Sequence, residues 1–292
     1  MCVSNKWLGE FFDMIIGKTK KKEKITMSIP RTLTIAGSAA QGSAGIQADI
    51  KTFQELDVYG MAAITATVAN NPITEKGIFI RSTEEVEAQF YTATGHVGVD
   101  AIKTGMLFST EIIECVVKLI QESPIKNIVV DPVMIGKMGS QLLKDEAIEV
   151  VKEKLIPLAS IITPNLHEAA RLINSEKLNS VSEMKDAAKE LYKLGPGYVL
   201  IKGGALTEDA TDILFNGETF TEIKSKRIDT IHTSGAGCSY SAAITAWLAK
   251  GFSVEESVEQ SKQFVYEAIK HALSFNKGIG STDHGAWRKY KQ

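Results

Sequence analysis

The chain has 292 residues, 44% hydrophobic and 23% charged, with 33 Lys and Arg against 35 Asp and Glu for a formal charge of −2. That length can bury a sizeable core, while the near-neutral balance argues against nucleic-acid binding by bulk phosphate attraction and 7% aromatic residues are thin for base stacking. No run approaches the roughly 20 apolar residues of a membrane helix, and three scattered cysteines, Cys2, Cys115 and Cys238, exclude a disulfide scaffold or a clustered zinc site and fit a reducing cytoplasm.

Residues 1–28 read as an extension. Trp7, Leu8, Phe11, Phe12, Ile15 and Ile16 recur at helical spacing, and a basic run from Lys18 to Lys22 follows. A helix docked on the body or on a partner, or a stretch ahead of an alternative start at Met27, is favoured over attachment to an anionic membrane. Glu10 and Asp13 interrupt the apolar stretch and argue against a signal peptide.

The body, residues 29–292, reads as one α/β domain. β-branched runs at Thr32–Ala36, Ala63–Val68, Asn127–Asp131, Ser160–Thr163 and Tyr198–Lys202 alternate with helical stretches at Thr83–Thr94, Glu111–Glu122 and Ser182–Leu194. Such alternation predicts right-handed crossovers and a parallel sheet covered on both faces. Thr211–Phe215 and Thr219–Lys224 flank Asn216-Gly217, which predicts a hairpin with a type I′ turn. Helices at Cys238–Lys250 and Val254–Leu273 follow.

In an open parallel sheet, ligands sit beyond the carboxyl ends of the strands, so the segments there matter most. After the first strand, Ala36 to Gly45 bends freely and suits close approach to a flat ligand, with Asp49 one turn into the next helix. Lys103-Thr104-Gly105 and Ile201-Lys202-Gly203-Gly204 each end a strand with a lysine that either meets phosphate or is solvated. Asp131, in Val130-Asp131-Pro132-Val133, is either a turn residue or part of a magnesium shell. Asn165 and Glu168, three apart, are either a helix cap or holders of water around magnesium, and the spacing alone favours the cap. His167 reads as a surface residue. Thr233-Ser234-Gly235-Ala236-Gly237-Cys238 runs straight into a helix, whose free N–H groups and dipole would hold a phosphoryl group. Cys238 in that first turn reads either as a small buried apolar residue or as a thiol with a favoured thiolate, able to accept a substrate hydroxyl proton.

Taken together and in order, these motifs resemble the ribokinase superfamily, and within it the hydroxymethylpyrimidine kinase branch with its pyridoxal kinase relatives. The resemblance spans about residues 31–287 and rests on the AGSxxxGxAGIQADxKTFQEL stretch from Ala36, AIKTGML from Ala101, VDPVM from Val130, TPNLHEA from Thr163, IKGG from Ile201 and GAGC from Gly235. It implies a three-layer α/β/α sandwich with a central, mostly parallel sheet. It also implies transfer of the ATP γ-phosphoryl group, with Mg, to the hydroxymethyl of a small heteroaromatic ring, by a cytoplasmic homodimer. On that resemblance Gly235, Ala236 and Gly237 form the anion hole and Cys238 is the base. Asn165, Glu168 and Asp131 organise Mg, while Lys202, Gly204 and Thr233 lie on the nucleotide side. Gly37, Asp49, Val68, Asn70 and Val133 line the ring pocket, and a flap closes around Met134–Ser140.

Several positions depart from the resemblance. Ala39 stands where an Asp is usual, Asn70 where Gln or Met is usual, Gly136 where Ala or Cys is common, and Ser234 replaces a common His. The stretches GETFTEI, RIDT and DHGAW near the end look more like the pyridoxal kinases, which places pyridoxal slightly ahead of hydroxymethylpyrimidine or its monophosphate. A non-catalytic ligand-binding relative and a sugar or nucleoside kinase are the alternatives; retention of Cys238, Glu168 and the full glycine loop speaks against the first, Cys238 in place of Asp against the second.

Overall fold

The computed structural model describes residues 29–134, 142–206 and 209–290. The apolar stripe and basic run of residues 1–28, and the flap segment from 135 to 140 with Gly136, lie outside the described residues. In chain order the elements begin β1 (Arg31–Ala39), α1 (Ile46–Glu55), β2 (Tyr59–Val68), β3 (Ile78–Ile80), α2 (Thr83–Thr92), β4 (Ala101–Thr104), α3 (Thr110–Glu122) and β5 (Asn127–Val130). They continue with α4 (Asp145–Val150), β6 (Ile161–Ile162), α5 (Leu166–Leu172), α6 (Val181–Tyr192), β7 (Tyr198–Ile201), β8 (Ala210–Phe215), β9 (Phe220–Ser225), α7 (Ala236–Ala249), α8 (Val254–Lys270) and α9 (Ala286–Tyr290).

The strands form one sheet in the order β3-β2-β1-β4-β5-β6-β7-β8-β9. Pairings from β2 through β7 are parallel, whereas β3, β8 and β9 pair antiparallel. The expected three-layer, mostly parallel sandwich is thus what the chain forms. Strands β5, β6 and β7 are apolar in both phases of their period-two alternation. Ile128 and Val130 face one core cluster, with Phe90, Ile113 and Leu172, while Val129 faces the other, with Phe53, Tyr240, Ile244 and Phe264. Ile162 and Ile161, Val199 and Leu200 divide in the same way.

Local chemistry sets the helix starts. Ser82, Ser109, Ser180 and Ser253 each accept a hydrogen bond from the backbone N–H three residues on, and Glu85 and Glu256 return the bond at the first and last of these. The β8–β9 hairpin forms as expected, but its turn is not type I′. That turn needs a positive φ at both central residues, and Asn216 is not among the residues with one. Instead the Asn216 side-chain oxygen accepts from the N–H groups of Glu218 and Thr219 across a four-residue loop. The edge strand β3 was not foreseen; at three residues, it is too short to show a period.

The chain runs from β1 to β2 on one side and then crosses to β4 on the other. This reversal opens a crevice at the carboxyl ends of β1 and β4, where Gly37 and Gly105 stand, Gly105 N–H donating to Ile35 O at 2.9 Å.

Candidate active site

One wall is built from β1, α1 and β4. Asp49 lies on the buried face of α1, beside Ile46, Ala48, Thr52 and Phe53. Its Oδ2 accepts from Lys103 Nζ at 3.0 Å and from Thr34 Oγ1 at 2.6 Å, with the Asp49 and Lys103 side chains both at 0% exposure. Burial pushes the Asp49 carboxyl up, and Lys103 and Thr34 resist. Burial also works against the Lys103 ammonium, yet Asp49, Cys238 and Asp131 together hold it above the ordinary lysine range. The second carboxyl oxygen, Oδ1, is buried with no hydrogen-bond partner among the described residues. An unpartnered buried acceptor is costly and calls for a donor.

Beside it, Gly37 packs so closely on Phe108 that a Cβ would lie 2.8 Å from Phe108 Cε2. Phe108 has φ +69°, and Ser109 N–H donates to Leu107 O at 2.9 Å. This is a γ-turn of the rare left-handed kind, carried by a bulky side chain. Ala39, where the loop lacks a carboxylate, donates its N–H to Gln47 Oε1 at 2.9 Å, while Gln47 Nε2 donates to Ser38 Oγ at 2.7 Å. A carboxamide from α1 thus holds the β1 loop.

The opposite wall comes from β5, β6, β7 and α7. Asp131 Oδ1 accepts from Lys202 Nζ at 2.9 Å and Thr163 Oγ1 at 3.2 Å, and Oδ2 accepts from Ser241 Oγ at 2.9 Å. Burial disfavours the Asp131 carboxylate, but Lys202 and Lys103 outweigh it and hold its pKa below the usual range. Lys202 is held up by Asp131, Glu168 and Cys238 against its own burial. Asn165 and Glu168 form a reciprocal cap: Glu168 N–H donates to Asn165 Oδ1 at 2.9 Å, and Asn165 N–H donates to Glu168 Oε2 at 2.8 Å. Burial, with a further push from Asp131, raises Glu168 to about 8 although Lys202 opposes.

Between the walls runs the glycine turn. Gly235 has φ +84°, and a Cβ there would collide with the Ser43 carbonyl, so only glycine fits. Ser43 Oγ lies 2.9 Å from Ser234 Oγ, binding this turn to the β1 loop. A Cβ on Gly237 would lie 3.4 Å from Lys202 Nζ, which puts the ammonium at the mouth of α7. Ala236 N–H donates to Thr233 O at 3.2 Å. The amides of Gly237 and Cys238 accordingly stand as the first-turn donors with no backbone acceptor among the described residues. Cys238 feels the charges of Lys103, Asp49 and Asp131 at once.

Residues 40–283 match the phosphomethylpyrimidine kinase family. The chain belongs to that family. It is 46% identical over 270 residues to a pyridoxine kinase of Bacillus subtilis (91% of this chain, 100% of the relative) and 45% identical over 265 residues to the hydroxymethylpyrimidine/phosphomethylpyrimidine kinase of the same organism (90% and 97%). The crystal structure of an ADP complex of Bacillus subtilis pyridoxal kinase superposes with a TM-score of 0.85 at 47% identity, covering 89% of this chain and 99% of that one. As a family member the chain is a phosphotransferase of the vitamin-precursor kinase kind, as its motifs implied.

The fold brings most of the expected site residues of this kinase family together and revises several readings. Lys103 and Lys202 are not solvated lysines, since each is paired with a buried carboxylate, and Lys202 Nζ stands at the mouth of α7 while so paired. Asp49 is fully buried rather than an exposed helix carboxylate. The helix terminus is not the largest influence on the Cys238 thiol. Burial, reinforced by Asp49 and Asp131, pushes this half-buried thiol up to about 11, outweighing Lys103 and the Gly45 N–H. Val68 ends β2 in register with Ala39 and Ile78, and Val133 is half-buried just past β5. Asn70 is exposed and folds against Gly77, and Gly204 is exposed with open space beside it. Thr233 is half-buried beside the glycine turn, and His167 is exposed on α5 as expected. Sequence reading missed the partners: Thr34, Thr163 and Ser241 on the two carboxylates, and Gln47 on the loop. One signal was present, because a lysine between Ile102 and Thr104 in a strand with apolar neighbours demands a buried counter-charge.

Proposed function

We propose that this protein transfers the γ-phosphoryl group of ATP to the hydroxymethyl group of a small heteroaromatic ring, pyridoxal or pyridoxine ahead of hydroxymethylpyrimidine. The observation that carries the reading is the glycine turn opening α7 with Cys238 in its first turn, where Lys202 Nζ, paired with Asp131, would lie 3.4 Å from a Cβ on Gly237 and Cys238 feels the charges of the buried Asp49–Lys103 pair. Phosphoryl transfer asks mainly for positioning and charge neutralisation, and this arrangement supplies both. The unpartnered Asp49 Oδ1 accepts a hydrogen bond from the ring and aims its hydroxymethyl at the glycine turn. The amides of Gly237 and Cys238, with Lys202, face the charge that builds on the transferring group. The hydroxyl oxygen bonds to the γ-phosphorus as the bond to the β-phosphate oxygen breaks; the hydroxyl proton passes to Cys238 Sγ in its thiolate form, and ADP leaves.

Asp131 and Glu168 are hard oxygen donors of the kind magnesium takes, and the upward push on Glu168, from burial first and Asp131 second, is one that a cation would relieve. Bound there, magnesium would neutralise phosphate charge.

The ring order rests on the terminal stretches, Gly217–Ile223, Arg227–Thr230 and Asp283–Trp287, which look like the pyridoxal kinases. A homodimer is part of the same reading, and the exposed edge around β3, with Ile73, Phe79 and Ile80, supports it. The reading also makes the enzyme cytoplasmic; no helix among the described residues is long and apolar enough to cross a membrane. The test is ADP release with pyridoxal, pyridoxine, hydroxymethylpyrimidine, ribose and adenosine side by side. Highest kcat/KM on pyridoxal or pyridoxine is expected. A higher value on hydroxymethylpyrimidine reverses the ring order, turnover of ribose or adenosine moves the chain to sugar or nucleoside kinases, and tight ring binding without ADP makes it a non-catalytic relative.

A further inference from the structure

The segment Asp283-His284-Gly285-Ala286-Trp287 lies 45 residues beyond the glycine turn in sequence yet packs directly behind it. Ser234 N–H donates to Gly280 O at 3.1 Å and Thr282 N–H donates to Ser234 O at 3.2 Å, so the terminal loop runs alongside the turn like an added strand. His284 is 6% exposed, and its Nε2 lies 2.9 Å from Ser239 Oγ, which is itself fully buried. Ser239 Oγ donates its proton to Gly235 O at 2.8 Å, and Ser239 N–H donates to the same carbonyl at 2.8 Å. The hydroxyl has one proton and spends it on Gly235. With that proton on Gly235, the imidazole is the donor to Ser239 Oγ and carries its hydrogen on Nε2.

We propose that His284 is a positioning residue for phosphoryl transfer, acting through the Ser239 hydroxyl to fix the Gly235 carbonyl and hence the orientation of the Gly235-Ala236-Gly237-Cys238 turn. Gly235 has no side chain and sits at φ +84°, where the backbone has no steric preference of its own to hold it. Two hydrogen bonds on one carbonyl, one of them backed by a rigid buried ring, supply the missing restraint. Tilting that peptide would swing the next two amides and the Cys238 sulfur away from the reacting phosphorus, and displacements of about 1 Å can cost roughly 10²-fold in rate. The relay acts through the backbone of the turn, so its loss should appear in kcat.

This inference rests on the kinase reading above. It is tested in the full-length protein by steady-state kinetics of His284→Ala, His284→Gln, Ser239→Ala and the His284→Ala/Ser239→Ala double variant, with whichever ring compound the wild type turns over. Absence of turnover by wild type with every ring compound would defeat the kinase reading itself, and ADP binding by calorimetry then still reports whether the turn is formed. With an active wild type, the expected result is that His284→Ala and Ser239→Ala each lower kcat about tenfold or more with KM for the ring within about twofold. The double variant should be no slower than the slower single variant, since both remove one chain of bonds. Gln, which can place an N–H near the Nε2 position, should recover most of kcat; if His284→Ala fails to fold, the Gln and Ser239 variants carry the comparison. Multiplicative losses in the double variant, a Gln variant as slow as the Ala variant, or wild-type kcat in Ser239→Ala would each overturn the proposal.

Discussion

Lys103 Nζ and Asp49 Oδ2 meet at 3.0 Å with no solvent exposure of either side chain, joining the last turn of a central strand to the buried face of the first helix. Two desolvated charges are held where apolar packing would be simpler, and replacing such pairs by apolar residues is often neutral or stabilising. On the proposed kinase reading the pair has two uses: Asp49 keeps its unpartnered Oδ1 for the ring, and the Lys103 charge favours the Cys238 thiolate.

Lys103→Met should therefore be costly in two separable ways. The Asp49 carboxylate is left buried and unpaired, which costs about 3–5 kcal/mol, read as a shift of the urea midpoint at pH 7. Turnover should fall as well, because Cys238 loses the cation that favours its thiolate. Adding Asp49→Asn should restore part of the stability and none of the turnover. A single variant within about 1 kcal/mol of wild type would show that the pair is not charged.

A Cys238 thiol pushed up to about 11 is almost wholly protonated at neutral pH, so the base form is scarce at rest. Turnover limited by that base should climb about tenfold per pH unit between pH 6 and 9. Cys238→Ala should lower kcat by about 10²–10⁴-fold and flatten the profile, with ADP affinity preserved. In Cys238→Asp, the residue common elsewhere in the superfamily, the rise should move to lower pH and part of the rate should return. A flat wild-type profile would assign the proton to another acceptor.

Phe108 offers a case where strain and function can be separated. A left-handed backbone at a non-glycine residue costs about 1–2 kcal/mol, and glycine escapes that cost. Phe108→Gly should thus be more stable than Phe108→Ala by about 1 kcal/mol in urea unfolding. Both should raise KM for the ring severalfold and leave KM for ATP alone if the β1 loop, where Phe108 packs on Gly37, holds the ring as proposed. Equal stabilities would mean that residue 108 relaxes out of the left-handed region.

The strand–helix order and the loop motifs were legible because they are local: an apolar run, a Ser at a helix start, a glycine pair before a helix. What escaped were pairings between residues far apart in the chain. Nothing near Lys103 in sequence names Asp49, 54 residues earlier, and nothing near Asp131 names Ser241, 110 residues later. The protonation of Cys238 escaped for the same reason. Its helix terminus is local and favours the thiolate, whereas the burial and the two carboxylates that outweigh it arrive through tertiary structure. The turn after Asn216 misled differently, since an Asn that caps its own loop has no need of a left-handed backbone.

His284 gives a pH signature of the terminal loop's docking. Burial, with help from Lys51 and against Asp283, lowers its pKa to about 4, whereas an unfolded histidine titrates near 6.5. Between those values the unfolded chain binds the extra proton, so stability is fully present above about pH 6.5 and drains away as pH falls toward 4. The shift corresponds to about 3 kcal/mol over that window. Urea unfolding of wild type and His284→Gln at pH 7 and pH 4.5 should show wild type losing more stability on acidification by most of that amount, because glutamine does not titrate. If the two proteins lose stability in parallel, His284 is not buried against Ser239 in solution, and the docking of the C-terminal loop behind the glycine turn is wrong.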